Sequence, residues 1–365
     1  MDDDAADVEA HVAEEQSRQR AFVKSLAADD IKSGGWFTKL VAHALGSYTD
    51  KVDWQYFQEK YAGVPADAVV DQRIKMAARY AALEGGLSAG AYSAAVAATI
   101  GSLGGASPAT LPAAATTMLV DVTYVTQLQL RLAHDIAVLY RVPLDTSDPE
   151  DLWKLIRVAF TIKGGEAVGE GAVKAVPVVV RPLVKRFYAK GTLQAAKGLP
   201  VVGKYLLQRN VIKIGIPLVG VPLAALLNRY TTLVAGRHAR AVFREEARVI
   251  ELAERLVERT EHPQALLWVA WLVINADKNI SDSEALLMRH LVRLARGQHE
   301  VVDEVLARLV EVDAADVWAR VDAEPGDRSG LLAAAHQIAE VDGSVNARER
   351  DVLADLAERA ARADS

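Results

Sequence analysis

The 365-residue chain contains no cysteine. That absence excludes a disulfide scaffold, a thiolate nucleophile, an iron–sulfur cluster and a cysteine-based zinc site, and it agrees with a reducing compartment. Any metal ion must therefore be held by oxygen or imidazole. Aromatic side chains are scarce, at 6% of residues. The opening Met1-Asp2-Asp3-Asp4 is acidic where a secretory signal needs a basic start and an apolar run, so residence in the cytoplasm is the expectation. There is no sustained period-two alternation, and the Val-rich runs at 176–180 and 201–202 are short and bounded by proline. Neither a Gly-x-Ser-x-Gly elbow nor a His-Glu-x-x-His pair occurs.

What the chain does contain is 51% hydrophobic and 25% charged residues, the composition of a globular protein with length enough for about two domains. The formal net charge of -6 hides a strong asymmetry. Residues 1–35 carry 4 basic and 9 acidic groups, residues 36–250 carry 25 and 16, and residues 251–365 carry 13 and 23, for nets of -5, +9 and -10. Residues 151–250 alone hold 17 basic against 5 acidic groups. Such a division points to different partners for different parts: anionic lipid or nucleic acid for the basic stretch, cations for the acidic end, or the two regions docking on each other.

Nearly every segment reads as helix, so the expected fold class is all-α. Residues 6–28 form a polar, sparsely apolar amphipathic arm expected on the surface. Trp36, Phe37, Leu40, Val41, Trp54 and Phe57 supply core anchors. From Gly85 to Val120 no side chain is charged, a length above the roughly 20 residues that span a bilayer. Its Ala, Gly, Ser and Thr content, broken by Gly104, Gly105, Pro108 and Pro112, reads as a small-residue helical hairpin, either buried against other helices or leaning on a membrane. Asp121–Tyr140 reads as a long helix, on which adjacent His134 and Asp135 diverge by about 100° and do not form a catalytic pair. Gly198-Leu199-Pro200-Val201-Val202-Gly203 recurs as Gly215-Ile216-Pro217-Leu218-Val219-Gly220. With Lys204 the first copy imitates a phosphate-binding loop, but Tyr205 stands where Ser or Thr would hold magnesium, Pro200 removes a backbone donor, and no strand precedes it, so no nucleotide is expected.

The uncharged Gly-rich segment leading into Asp121, the Asp135–Tyr140 stretch, Ile216-Pro217-Leu218-Val219-Gly220 and the Asn228–Phe243 helix together resemble the EcsC family over residues 35–250. The resemblance implies a bacterial, helical, membrane-associated protein, in one branch an accompaniment of an ABC exporter, and transfers no catalytic residue.

After His262-Pro263 a second unit begins, and it repeats internally. Asp277, Asn279, Ser281 and Glu284 occupy the first, third, fifth and eighth positions of one acidic loop, and Asp342, Ser344, Asn346 and Glu349 the same positions of another, 65 residues on. Each loop lies between apolar helices. Alternate oxygen-bearing positions in a tight loop can converge on a hard divalent cation, calcium or magnesium. The same residues also spell helix starts: Ser281-x-x-Glu284 is a capping box and Asn346-x-x-Glu349 is close to one, which leaves Asp277 and Asp342 as the residues that capping does not explain. The loops resemble the Ala-Asp-Gly-x-Ile-x-x-x-Glu pattern of the TerB-like family over residues 262–362, with Lys278 in the first loop where the second has Gly343. That resemblance implies an all-helical bundle, divalent-cation binding and a role in tellurite or envelope stress.

The combined expectation is three parts: an acidic arm (1–35), a basic helical domain (36–250) and an acidic helical domain (262–365). The protein is read as non-enzymatic and peripheral to the inner face of the membrane, docked on anionic lipid through Lys174, Arg181, Lys185, Arg186, Lys190, Lys197 and Lys204. Its acidic domain senses a cation or recruits a protein partner. The alternative is a metal-dependent hydrolase on the Asp277 and Asp342 loops, for which His336 is the candidate base, though its place upstream of Asp342 reads as helix packing. Nucleic acid is disfavoured as a partner, because the basic stretch has few aromatics and no recognised motif.

Overall fold

The computed structural model describes residues 2–101, 110–161, 220–299, 314–325 and 327–363, apart from the side chains at 2–9, 32, 89–101, 110–115, 220–223, 298–299 and 363. All regular structure among them is α-helical, as the missing period-two alternation requires. The chain forms two compact units, one holding the described residues through Phe243 and one holding those from Arg244 onward. The division falls inside a single helix, upstream of the 250–262 region where the sign of the charge changes.

The first unit contains α1 (Asp2–Ser25), α2 (Ala28–Ser33), α3 (Trp36–Thr49), α4 (Trp54–Lys60), α5 (Ala66–Gly101), α6 (Thr110–Leu139), α7 (Pro149–Ala159) and the start of α8 (Gly220–Arg259). The hub is α6, against which α1, α3, α4, α5 and α7 pack. The helices α5 and α6 run antiparallel: Asp67 meets Tyr140 and Arg73 meets Asp135 near one end, while Glu84 meets Asp121 further along. At 36 and 30 residues they are long, yet among the described residues no helix is long and apolar enough to cross a membrane. The start of α6 lies eleven residues before the expected Asp121, because Pro112 falls in its first turn, where a missing N–H costs nothing. Trp36, Phe37, Leu40, Val41 and Phe57 are buried as anchors, whereas Trp54 is half-buried with the Arg141 guanidinium 4.3 Å above its ring.

The N-terminal arm departs from expectation. Rather than lying loosely on the surface, α1 packs on α5 and α6 with Val12 and Val23 buried. Its polar face is buried as well: Gln16 donates to Glu84 Oε1 (3.4 Å), Gln19 donates to Gln127 Oε1 (2.6 Å), and Glu15 Oε2 accepts from Gln127 (3.0 Å). A polar sequence is compatible with burial when the opposing helix supplies partners, and hydrophobicity alone cannot reveal those partners.

The second unit contains the remainder of α8, α9 (Pro263–Ile274), α10 (Asp282–His299), α11 (Ala314–Ala323), α12 (Ser329–Ala339) and α13 (Ala347–Ala363). Here α9 is the hub, packed by α10, α11, α12 and α13. Nine of its twelve residues are buried, Leu266, Trp268 and Val273 among them, and a helix apolar on every side must be enclosed on every side. Each buried Leu, Ile or Val contributes about 1.5–3 kcal/mol, which explains why the surrounding amphipathic helices close on this one. Pro263 opens it at the first helical turn.

Candidate functional site

The paired acidic loops lie between α9 and α10 and between α12 and α13, and their repeat in sequence is a repeat in hydrogen bonding. In the first, Asp277 Oδ1 accepts from the Asn279 N–H (2.8 Å); in the second, Asp342 Oδ1 accepts from the Ser344 N–H (3.0 Å) and the Ser344 hydroxyl (3.2 Å). Between these comes a left-handed residue in each, Lys278 at φ 63° and Gly343 at φ 90°. The sharp turn therefore forms in both loops, although only the second has the residue that adopts it without strain.

Both loops then start a helix with a reciprocal cap. The Ser281 N–H donates to Glu284 Oε2 (2.6 Å) while the Glu284 N–H donates to Ser281 Oγ (3.2 Å). The Asn346 N–H donates to Glu349 Oε2 (2.8 Å) while the N–H groups of Arg348 and Glu349 donate to Asn346 Oδ1 (3.0 Å each). Asp277 has a second task that spacing could not show: its Oδ2 accepts from the Asn346 side-chain amide (3.1 Å), tying one loop to the other.

The tie brings four carboxylates together. Glu284 is buried and its pKa is raised, first by burial and then by the charges of Asp342 and Asp277. Glu349 is raised by burial and by the charges of Glu284, Asp342 and Asp277. The donor chemistry, all oxygen, suits a hard cation. Among the described residues no three carboxylate or imidazole groups converge closely enough to hold a metal ion. One oxygen of each glutamate caps a helix, and Asp277 is engaged by Asn279 and Asn346. Asn279 and Ser344 are exposed, with their backbone N–H groups serving the turns. His336, the candidate base of the hydrolase alternative, is exposed on α12, and among the described residues its ring makes no hydrogen bond to a loop carboxylate.

The seven basic residues expected to meet lipid, from Lys174 to Lys204, lie outside the described residues, as do the glycine-proline hexapeptide at 198–203 and most of its copy. The first unit does expose an apolar stripe on α8: Leu226, Tyr230 and Val234, four residues apart, are 61%, 66% and 37% exposed, and Arg229 and Arg237 on the same helix are exposed too.

A buried polar system in the first unit escaped sequence reasoning. Asp135 does turn away from His134, as helical geometry requires. It instead accepts from Arg73 Nε (3.0 Å), from Arg73 Nη2 and from the Tyr48 hydroxyl (2.7 Å). Burial lowers the pKa of His134, whose ring lies edge-on to Tyr48. Further along α5, Glu84 is buried against Asp121, Asn228 and Ser88, and burial holds its pKa well above the usual carboxylate range. A cavity of about 280 Å³ opens beside this system, lined by α1, α3, α4, α5 and α6. Its polar residues are scattered from His11 to Asp135, a separation no motif spans. Three polar residues of α6, Gln127, Arg131 and Asp135, contribute to its wall.

Comparison of the chain with family models, curated proteins and solved structures returned no match.

Proposed function

We propose that the protein is a non-enzymatic, membrane-surface protein in which the basic region 36–250 docks on anionic lipid and the acidic C-terminal region responds to divalent cations. The exposed Leu226–Tyr230–Val234 stripe carries the reading. An apolar stripe on a helix that also presents Arg229 and Arg237 is the pattern of a helix lying in the lipid interface, with apolar side chains among the acyl chains and guanidinium groups at the phosphates. The basic excess of residues 151–250 adds electrostatic attraction at about 1 kcal/mol per charge near an anionic surface. Co-sedimentation with vesicles containing phosphatidylglycerol checks it. Binding at low salt, weakened by salt and by the double substitution Leu226→Asp with Tyr230→Asp, is expected; no binding at low salt overturns the reading.

For the second unit, the support is the mutual repulsion of Asp277, Glu284, Asp342 and Glu349, which a bound divalent cation would relieve. Millimolar calcium or magnesium is expected to raise the unfolding temperature of the wild-type protein and to do so much less for Asp342→Asn. Equal effects on both would remove the cation from the proposal. A role in envelope or tellurite-type stress fits such a pairing of surface attachment with cation response.

A further inference from the structure

The first part of α8 is amphipathic in the opposite sense to a surface helix. Asn228 and Thr232 are buried, while Leu226, Tyr230 and Val234 are exposed. Steps of four residues keep each set on one face of the helix, and the offset between the sets turns them about 200° apart. Thr232 Oγ1 accepts from the Gln129 side-chain amide (3.4 Å). Asn228 reaches two helices at once: its amide donates to Asp121 Oδ1 (2.8 Å) on α6 and lies 3.5 Å from Glu84 Oε2 on α5. Beside Glu84, at Gly85, the α8 backbone comes so close that a Cβ would stand 2.9 Å from the Ala224 carbonyl oxygen. The start of α8 is therefore held by polar partners, and its docking depends on their charge.

Two of those partners are carboxyl groups in contact. Glu84 is 0% exposed, and its carboxyl is hydrogen-bonded to that of Asp121. An ionised carboxylate only accepts, so such a bond requires a proton between the two groups. Glu84 Oε1 also accepts from the Ser88 hydroxyl and from the Gln16 amide (3.4 Å), which fixes the carboxyl from α1, α5, α6 and α8 together. Among the described residues, neither carboxyl group is ion-paired with Lys, Arg or His. The other titratable groups on the packed helices are Tyr124 on α6 and Glu15 on α1, and Glu15 is engaged by Arg18 (2.7 Å) and Gln127 (3.0 Å). Arg131 lies 3.8 Å from Glu15 and so serves that carboxylate. Burial first, and then Asp121, hold the Glu84 pKa well above the usual carboxylate range. Without the proton, two carboxylates would stand side by side with no counter-ion, and the single Asn228 amide would be left to serve both.

We infer that Glu84 and Asp121 form a proton-held latch: with the proton in place the start of α8 is docked through Asn228, and loss of the proton as pH rises frees it. The docked form holds the proton more tightly than an open form does. Docking is therefore strongest in acid and weakens as pH rises through the raised Glu84 value. The freed segment carries Leu226, Tyr230 and Val234, so the latch also sets how far that stripe can project. This last consequence rests on the lipid-docking reading; the latch itself needs no lipid.

The test is hydrogen–deuterium exchange of the full-length protein without lipid, read over residues 224–236 and corrected for the intrinsic exchange rate at each pH. One proton released on opening changes the equilibrium by up to about tenfold per pH unit, so wild-type protection is expected to fall about tenfold or more between about pH 5 and about pH 8. Glu84→Gln keeps an acceptor for Ser88 and supplies an amide donor toward Asp121, so its protection should stay within about twofold over the same range. Asp121→Asn removes the other charge and should reduce the slope as well, a second reading should the first variant fold poorly. Glu349→Gln, in the other unit, should keep the wild-type slope over these residues. Wild-type protection that does not change with pH overturns the inference, and so does a folded Glu84→Gln or Asp121→Asn that retains the full wild-type slope. Vesicles take no part in the measurement, so its failure and the failure of lipid docking are separate results.

Discussion

Gly85 and Gly86 are neighbours on α5 with opposite tolerances. A Cβ at Gly85 would stand 2.7 Å from Asn228 Nδ2 and 2.9 Å from the Ala224 carbonyl oxygen, so α8 approaches α5 as closely as a backbone allows. At Gly86 nothing lies within 4 Å. Gly85→Ala is therefore expected to destabilise the protein by about 1–3 kcal/mol through overpacking. Gly86→Ala should stabilise it by about 0.5–1 kcal/mol through helix propensity. Denaturant unfolding of the two variants checks the pair, and similar effects would contradict the close approach. Both glycines were visible in the sequence as part of one small-residue run; which of them meets another helix is a matter of the third dimension. A second residue-scale prediction concerns Lys278. Its left-handed conformation costs a side-chain-bearing residue about 1 kcal/mol, so Lys278→Gly should raise stability by that amount, and Gly343→Lys should lower it similarly. Thermal unfolding of the two variants, shifting in opposite directions, is the measurement.

At the scale of elements, the two loops and the helices they start form one electrostatic unit. Glu284 and Glu349 have raised pKa values in the folded protein, so the folded state holds their protons more tightly than the unfolded chain does. Their contribution to stability is fully present below the unfolded pKa and is lost as pH rises through the raised folded values. Glu349→Gln keeps a cap acceptor and removes one of the four charges. It is expected to flatten the fall in stability between mildly acidic and neutral pH and to equal or exceed the wild type at pH 7. An unchanged pH slope, read from denaturant midpoints across that range, would mean that the four carboxylates do not act on one another. The spacing of these loops was legible because an eight-residue pattern repeated after 65 positions is local information, and so were their caps. The Asn346–Asp277 bond was not, because nothing within either loop indicates that it faces the other. The packed face of α1 was not legible for a related reason: Gln16 and Gln19 find their partners in Glu84 and Gln127, distant in sequence.

For the molecule as a whole, the division at 243/244 gives the second unit a core of its own, running from Val249 through Leu356. A fragment beginning at Arg244 is expected to remain helical and to unfold cooperatively on heating, as measured by circular dichroism. A broad, non-cooperative loss of helix would show that the core centred on α9 needs the rest of the chain. The charge asymmetry acquires a partial structural meaning at this scale. The acidic end contains a specific focus, four carboxylates held in two tied loops, whereas the first unit spends several of its charges internally, Arg73 on Asp135 and Arg240 on Asp71 and Asp67.

The all-α class, the helix–loop–helix repeat, the helix starts at Pro263, Ser281 and Asn346, and the anchors Trp36, Phe37 and Phe57 were determined by the sequence alone, because periodicity, capping and burial of large apolar groups act over a few residues. The tertiary structure alone decided that one face of the polar arm is buried, that the acidic loops bind each other, that His336 is exposed, and that Tyr124, Arg131 and Lys60 line one cavity. Each of those outcomes depends on which group a buried or charged atom finds across a helix interface, and pairings between residues far apart in the chain leave no periodic trace in it.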